Sequence, residues 1–406
     1  MHHSPGSCGS GATVTQEPAS RIAIRAQHMF DGYRFHAGSV LVTIEDGRID
    51  AVDFRGAPCP LGATLIDLGD WTLLPGLVDA HAHLCWDPDG KPEDLAREPQ
   101  QTQVDRARRH AMAALRSGIT TIRDLGDCNF ATVPLRQEYR EGVSLGPELL
   151  ISGPPLTPVG GHCWFLGGEA ESTGELVNAV EERAARGVDW IKVMATGGFV
   201  TAGTDPWRPQ YDAHQLATIV AAAHRVHLPV TAHAHATSGI TAAIEAGIHS
   251  VEHATFLTEN GIAADADVVQ AIVARGVWCG ITVGRAHPDL PKKFLALVQD
   301  LRIMIRQLVD SGANVAFSSD AGVSANKPLD VLPLELVDLS LHGFTSAEVL
   351  TGATAAAAAS VGLGHRKGRI EPGYDADLIA VANLSHDLAG LCDVKAVWRS
   401  GREVPR

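Results

Sequence analysis

The sequence predicts an α/β fold: a (β/α)8 TIM-type barrel carrying a small β-sandwich domain built from both chain termini. Three observations predict it. Across residues 74–362, eight short apolar segments of strand character alternate with amphipathic or alanine-rich segments, the pattern of a strand–helix barrel. No G-x-G-x-x-G turn follows an early strand, which argues against an open dinucleotide-binding sheet. Strand-like segments broken by turn residues flank that middle at both ends of the chain.

The elements follow in order. Residues 21–73 hold strand candidates at 22–24, 39–44 and 49–53, split by Asp31-Gly32, Asp46-Gly47 and the turn-rich stretch 56–60. Residues 363–406 hold two more, at 376–381 and 394–398, after the G-R-I-E-P-G run at 368–373. These two stretches form the composite small domain. The barrel strands are expected at 77–83, 120–125, 148–152, 190–195, 229–233, 250–253, 277–281 and 314–318. Helices are expected at 101–117, 173–186, 212–226, 238–246, 265–275 and 292–311. Residues 1–20 are small and polar, and read as a disordered tail rather than a secretory signal.

Composition narrows the class. The chain has 406 residues, 45% apolar and 20% charged, which suits a large globular domain with a smaller one. Formal net charge is −14, with no basic run, so neither nucleic acid nor an anionic membrane is expected as partner. The expected partners are a small-molecule substrate and further copies of the chain. Seven cysteines, an odd number without a C-x-x-C pair, point to reduced thiols and a cytoplasmic setting. No apolar run is long enough to cross a bilayer.

In such a barrel the reactive side chains sit at the C-terminal strand ends. The first strand ends in His81-Ala82-His83. Successive side chains alternate, so the two imidazoles share one face. The fourth strand carries Lys192, the fifth His233 and His235 on a common face, the sixth His253, and the eighth Asp320. Singly, each has a plain structural reading: a hydrogen-bonded histidine, a snorkelling lysine, a turn or cap aspartate. Jointly they converge on one mouth. Lys192 lies in the apolar strand V-D-W-I-K-V-M-A, where a free ammonium is costly to bury. An ammonium also has no lone pair for a metal. A carbamate formed from its amine and CO2 resolves the conflict, because it is anionic, bidentate and able to bridge two cations. Nitrogen and oxygen donors of this kind suit Zn2+ first, and also Mn2+, Co2+ or Fe2+.

Eight motifs spread over about residues 20–404 carry a resemblance. They are P-G-L-V-D-A-H-A-H-L, G-I-T-T-I-R-D-L-G, S-G-P-P-L-T-P-V-G-G-H, I-K-V-M-A-T-G-G, A-H-A-H-A, V-E-H-A-T, S-S-D-A-G and G-R-I-E-P-G-Y-D-A-D-L-I. The series resembles the amidohydrolase superfamily, in the branch of imidazolonepropionases and Xaa-Pro dipeptidases. The resemblance implies a binuclear centre: His81, His83 and Asp320 on the more buried metal, His233 and His253 on the more exposed one, and carbamylated Lys192 bridging both. It implies that His233 rather than His235 is the ligand, with His235 further out and His162 of the G-G-H motif both facing substrate. A hydroxide shared by two cations would attack a carbonyl. Asp320 would take its proton and pass it to the leaving nitrogen, as general base and then acid.

The expected activity is hydrolysis of an amide, peptide or cyclic amide, with Xaa-Pro dipeptides, N-acyl amino acids and small lactams as candidate substrates. An imidazolonepropionase-like ring opener or deaminase generally lacks the bridging lysine. A lactonase or esterase would use the same centre, and an inactive scaffold would have lost ligands that are all present here. The segment after the fifth strand, T-S-G-I-T-A-A-I, offers no Tyr or Arg for a substrate carboxylate, which weakens a strict dipeptidase reading. Arg285 and His287 are candidates to meet an anionic group. Trp86, Trp207, Tyr211 and the loop C-W-F-L-G-G-E read as a hydrophobic lid, and Arg123 with Asp124 as a structural pair.

Overall fold

The computed structural model describes residues 21–284 and 292–406. The expected tail at 1–20, and Arg285 and His287, lie outside the described residues.

The two ends of the chain meet in one hydrogen-bonded sheet of eight strands. Five come from the N-terminal side: Ile22–Phe30, Phe35–Glu45, Arg48–Asp53, Thr64–Asp67 and Thr72–Pro75. Three come from the C-terminal side: Leu378–Val381, Val394–Arg399 and Arg402–Glu403. Thr72–Pro75 joins the two groups. It runs parallel to Ile22–Phe30 on one edge and antiparallel to Leu378–Val381 on the other. The sheet has its own apolar cluster, including Ile24, Met29, Val42, Ile44, Leu73 and Trp398.

Eight parallel strands occupy the middle of the chain. They are β1 (Leu77–Ala82), β2 (Ile119–Asp124), β3 (Glu148–Ile151), β4 (Ile191–Met194), β5 (Val230–Ala236), β6 (Ser250–Thr258), β7 (Trp278–Thr282) and β8 (Asn314–Ser318). β1 to β3 pair in series, as do β4 to β8. Two seams join the groups. Trp190 donates its amide to Ile151 and Leu156 pairs with Val193 between β3 and β4. Between β8 and β1, the Asp320 amide donates to His81 O and the His83 amide to Ala321 O, each at 2.8 Å. Hydrogen bonding therefore runs through all eight strands and back to the first. Because the second seam is made by the backbone of His81, His83 and Asp320, it also fixes where those side chains start.

The helices between strands bury one face each against this ring, and Leu115, Leu176, Leu216, Ile244, Ile272 and Leu308 belong to its main apolar cluster. Capping boxes open two of them: Ser172 with Glu175 at Thr173–Ala185, and Asp212 with Gln215 at Ala213–Arg225. The structure adds helices that the periodicity did not reveal. Thr132–Arg140 follows β2, and Leu332–Ser340, Ser346–Ala353 and Ala355–Ser360 follow β8. The last of these is nearly all alanine and has no polar face to set a period. Most strand ends also move, and β5 runs on three residues to Ala236. β1 stops at Ala82, one residue before His83, and β6 runs five residues beyond His253.

The sheet and the ring are tied by an ion network. Lys367, buried, meets Asp377, Glu148 (3.0 Å) and Asp375 (3.2 Å). Arg399 meets Asp377 (2.9 Å) and Glu148 (3.2 Å), and Arg366 pairs with Glu148 and Asp375. Glu148 opens β3, so the network reaches from the terminal sheet to the floor of the ring. Among the described residues, no helix is long and apolar enough to cross a membrane.

Candidate metal centre

The C-terminal ends of the strands open into a cavity of about 440 Å3. It is lined by His81 and His83 from the end of β1, Lys192 from β4, His233 and His235 from β5, His253 from β6, and Asp320 just after β8. His162, in the loop after β3, lines it too. All the expected site residues thus face one space. His162 is buried, with its ring centroid 4.7 Å from that of His233. Its side chain meets the Thr204 hydroxyl at 3.5 Å rather than a backbone group. Gly198 makes room for this ring, since a Cβ there would lie 2.4 Å from His162 Nε2.

Two groups of donor atoms form within the cavity. His81, His83 and Asp320 make one, and His233, His235 and His253 the other, with the atoms of each within 4.8 Å of one another. Asp320 Oδ1 lies 3.2 Å from His83 Nε2 and 3.5 Å from His81 Nε2. Neighbours set the tautomers. His83 Nδ1 points at Gly126 O (3.4 Å) and His253 Nδ1 at the Thr282 hydroxyl (2.9 Å). A ring nitrogen facing a carbonyl must donate, so a lone pair on His83 can only be at Nε2. His233 is the reverse: its Nε2 faces Gly197 O at 3.0 Å, which leaves Nδ1.

Burial keeps these imidazoles neutral. It pulls His81 and His162 down to about 4 and His235 to about 3, and holds His233 and His253 well below the ordinary imidazole value. All five keep a lone pair at neutral pH. Burial pushes the Asp320 carboxyl up, but His81 and His83 outweigh it and hold the group below the usual carboxylate range. The site therefore sets these neutral nitrogens beside one anion, a donor set that fits divalent metal ions. Lys192 is the misfit in that set. It is 1% exposed, burial pulls its ammonium down to about 8, and its Nζ has no hydrogen-bond partner.

The backbone around the site is strained. His253, Ala254 and Phe256 on β6, and Asp320 after β8, all have φ between 45° and 69°, a left-handed region that non-glycine residues enter at a cost. The consequence at β6 is specific. Glu252 and His253 are adjacent, so regular alternation would send them to opposite faces. The turn of the chain at His253 lets both point inward.

Beneath the imidazoles lies a polar layer that the motif reading overlooked. Glu252 is fully buried. Its Oε1 accepts from Arg123 Nη2 (2.6 Å), the Thr231 hydroxyl (2.6 Å) and the Ser250 hydroxyl (3.0 Å), and its Oε2 lies 3.2 Å from His81 Nδ1. Arg123 also donates to Ala80 O and packs over Trp190. The expected Arg123–Asp124 pair does not form. Adjacent strand residues point opposite ways, so Arg123 turns inward to Glu252 while Asp124 accepts from the amides of Leu84 (2.7 Å) and Gly126 (3.2 Å). Asp79, on the same face of β1 as His81, accepts from the Ser319 hydroxyl and from the amides of Ser319 (3.0 Å) and His81 (3.3 Å). Lys327, in the loop after β8, donates to Ser319 O and Val283 O and pairs with Glu335.

The aromatic lid is also revised. Trp86 and Phe165 are buried and pack edge to face at 5.6 Å; Trp86 walls the cavity beside His83, with Phe165 behind it. Tyr211 is core, with its hydroxyl on Ala170 O. Trp164 and Trp207 are exposed and do not line the cavity.

Comparison with known proteins agrees with this geometry. The amidohydrolase family matches residues 72–404. The chain is 29% identical to an ochratoxinase of Aspergillus niger over 372 residues, covering 81% of this chain and 75% of that one. It is 28% identical to an imidazolonepropionase of Streptomyces griseus, covering 90% and 94%. Among solved structures it superimposes on a Xaa-Pro dipeptidase with bound methionine in the active site, with a TM-score of 0.82 and 26% identity over 95% of this chain and 100% of that one. The chain belongs to the amidohydrolase family.

Proposed function

We propose that the protein hydrolyses a carbon–nitrogen bond at a two-metal centre held by the strand ends of a (β/α)8 barrel, residues 74–362. Residues 21–73 and 363–406 make the small sandwich beside it. The observation that carries the reading is Lys192. Its Nζ is buried, without a hydrogen-bond partner, in a cavity whose mouth gathers six imidazoles and the Asp320 carboxylate. As a carbamate, this side chain becomes an anion with two oxygens, suited to sit between two cations of the Zn2+ class.

On this reading His81, His83 and Asp320 would hold one ion, His233 and His253 the other, and carbamylated Lys192 would serve both. Ions bound there supply a water that ionises near neutral pH and polarise the scissile carbonyl. The chain's own residues do the rest. Glu252 holds the His81 ring through Nδ1, so that Nε2 faces the cavity. Asp320 moves the proton from the attacking water to the leaving nitrogen. His162 and His235 flank the substrate, and Trp86 with Phe165 excludes water from one side. Relatives named as a Xaa-Pro dipeptidase, an imidazolonepropionase and an ochratoxinase support an amide, peptide or cyclic amide as substrate.

Elemental analysis tests the centre. Active protein should hold two divalent ions per chain. Lys192→Ala should lose bound metal, together with at least about 100-fold of its activity on whichever amide is cleaved. Full activity in metal-free protein, or unchanged metal content in Lys192→Ala, overturns the reading.

A further inference from the structure

A second cavity, of about 560 Å3, opens beside the metal centre. It lies over the ends of β6, β7 and β8, and its size is within the roughly 300–1,000 Å3 typical of small-molecule sites. Phe199, His235, Gly284, Leu297, Ser324 and Lys327 line both cavities, so the two adjoin along a shared wall. Beyond that threshold the walls are apolar: Leu257 and Ile262 from β6 and the short strand after it, Val298 and Leu301 from helix Lys292–Asp310, and Val331 and Leu334 at the start of helix Leu332–Ser340.

The charges in this chamber decide what it can take. Its described lining carries one ammonium, Lys327, and one carboxylate, Glu335, and the two are paired at 2.6 Å. An ammonium has three donors. Those of Lys327 are committed to Glu335, to Ser319 O (2.6 Å) and to Val283 O (3.0 Å). None is left for an anionic ligand. His235 turns its Nδ1 to the Thr255 hydroxyl at 3.0 Å. Among the described residues, a charged group entering here would lose its water and find no free charge of opposite sign. An apolar group would replace water against apolar walls and be favoured by its buried area.

We infer that this chamber is a second subsite of the catalytic cavity, built for an uncharged, bulky apolar substituent, aryl or branched alkyl, on the amide that is cleaved. The inference rests on the hydrolytic reading above. It narrows the substrate class from amides in general to amides that carry such a group.

The test uses the metal-loaded enzyme and four amides: N-acetyl-alanine, N-(2-naphthoyl)-alanine, N-acetyl-naphthylalanine and N-(4-carboxybenzoyl)-alanine. At least one naphthyl compound should exceed N-acetyl-alanine in kcat/KM by about 100-fold, and the carboxybenzoyl compound should gain nothing. That preference ratio should fall at least about tenfold in Ile262→Trp, which fills the chamber, and in Leu334→Lys, which adds a charge at a position 40% exposed in the structure. A second readout needs no turnover. Calorimetric titration of metal-stripped protein with 2-naphthamide should show one site, weakened at least about tenfold by both substitutions. If none of the four amides is hydrolysed, metal content and Lys192→Ala still decide the hydrolytic reading, and the titration alone decides the chamber. Equal kcat/KM across the series, or naphthamide binding that is absent or indifferent to both substitutions, overturns the inference.

Discussion

Glu252 does more for the candidate centre than several of the residues that face it. Its side chain is fully buried and joins three elements: Arg123 on β2, Thr231 on β5 and His81 on β1. Burial pushes its carboxyl up, but Arg123 and His81 outweigh that and hold it below the usual carboxylate range. Glu252→Gln keeps the shape and removes the charge. The variant should lose about 10- to 100-fold in activity or metal affinity, and about 3–5 kcal/mol of stability because Arg123 is left as an uncompensated buried charge. Metal titration and chemical denaturation measure the two effects separately. Asp79 and Glu252 differ in how far the sequence could reveal them. Asp79 shares the alternation that pairs His81 with His83, so the same argument would have placed it on their face. Glu252 precedes His253 directly, and alternation turns one of the two away. Only the left-handed backbone at His253 brings both inward, and no local pattern announces that.

At the level of elements, β7 is shaped by what stands behind it. A Cβ at Gly280 would lie 2.2 Å from Glu252 Oε2, so the strand passes close to the carboxylate only because this residue has no side chain. Gly280→Ala should therefore push Glu252 off His81 and cost about 1–3 kcal/mol. It should also carry the Glu252→Gln defect in metal affinity, which a thermal melt and a metal titration on the same sample would show. A melt lowered with metal affinity intact would mean that the clash relaxes elsewhere. The strands of the ring were legible because they are short apolar runs between turn residues, and all eight expected segments hold one. The helices after β8 were less so. Ser346–Ala353 does begin at a capping box, Thr345 with Glu348, a signal present in the sequence. Ala355–Ser360 has no such mark and takes its place from packing on Val78, Ala80 and Ala316.

For the whole molecule, the ion network around Lys367 holds the terminal sheet against the ring. Burial pushes the carboxyls of Glu148 and Asp377 up, but Lys367, Arg366 and Arg399 outweigh it and leave both lowered. A carboxylate lowered in the folded state adds stability that is fully present above its unfolded value and is lost as pH falls through the folded one. The melting temperature should therefore hold steady above about pH 5 and fall below the ordinary carboxylate values of 3.8 and 4.5. Lys367→Met should lower stability at pH 7 by about 3 kcal/mol and flatten that acid limb, as melts between pH 3 and 7 would show. The pairing of the two chain ends was legible as β segments at either end. Their hydrogen-bond order was not, because register across such a separation depends on contacts that no local pattern encodes.

That order has a consequence for synthesis. Ile22–Phe30 and Thr72–Pro75 leave the ribosome early, but Leu378–Val381, the strand that covers the far edge of Thr72–Pro75, follows roughly 300 residues later. At about 5–20 residues per second, that edge waits some 15–60 s with its backbone unpaired. The nascent chain thus carries an open β edge while the roughly 300 residues between the two strands are made. Synthesis of Leu378–Val381 is what closes it, so a chain cut short before Leu378 would be left with a permanently adhesive flank.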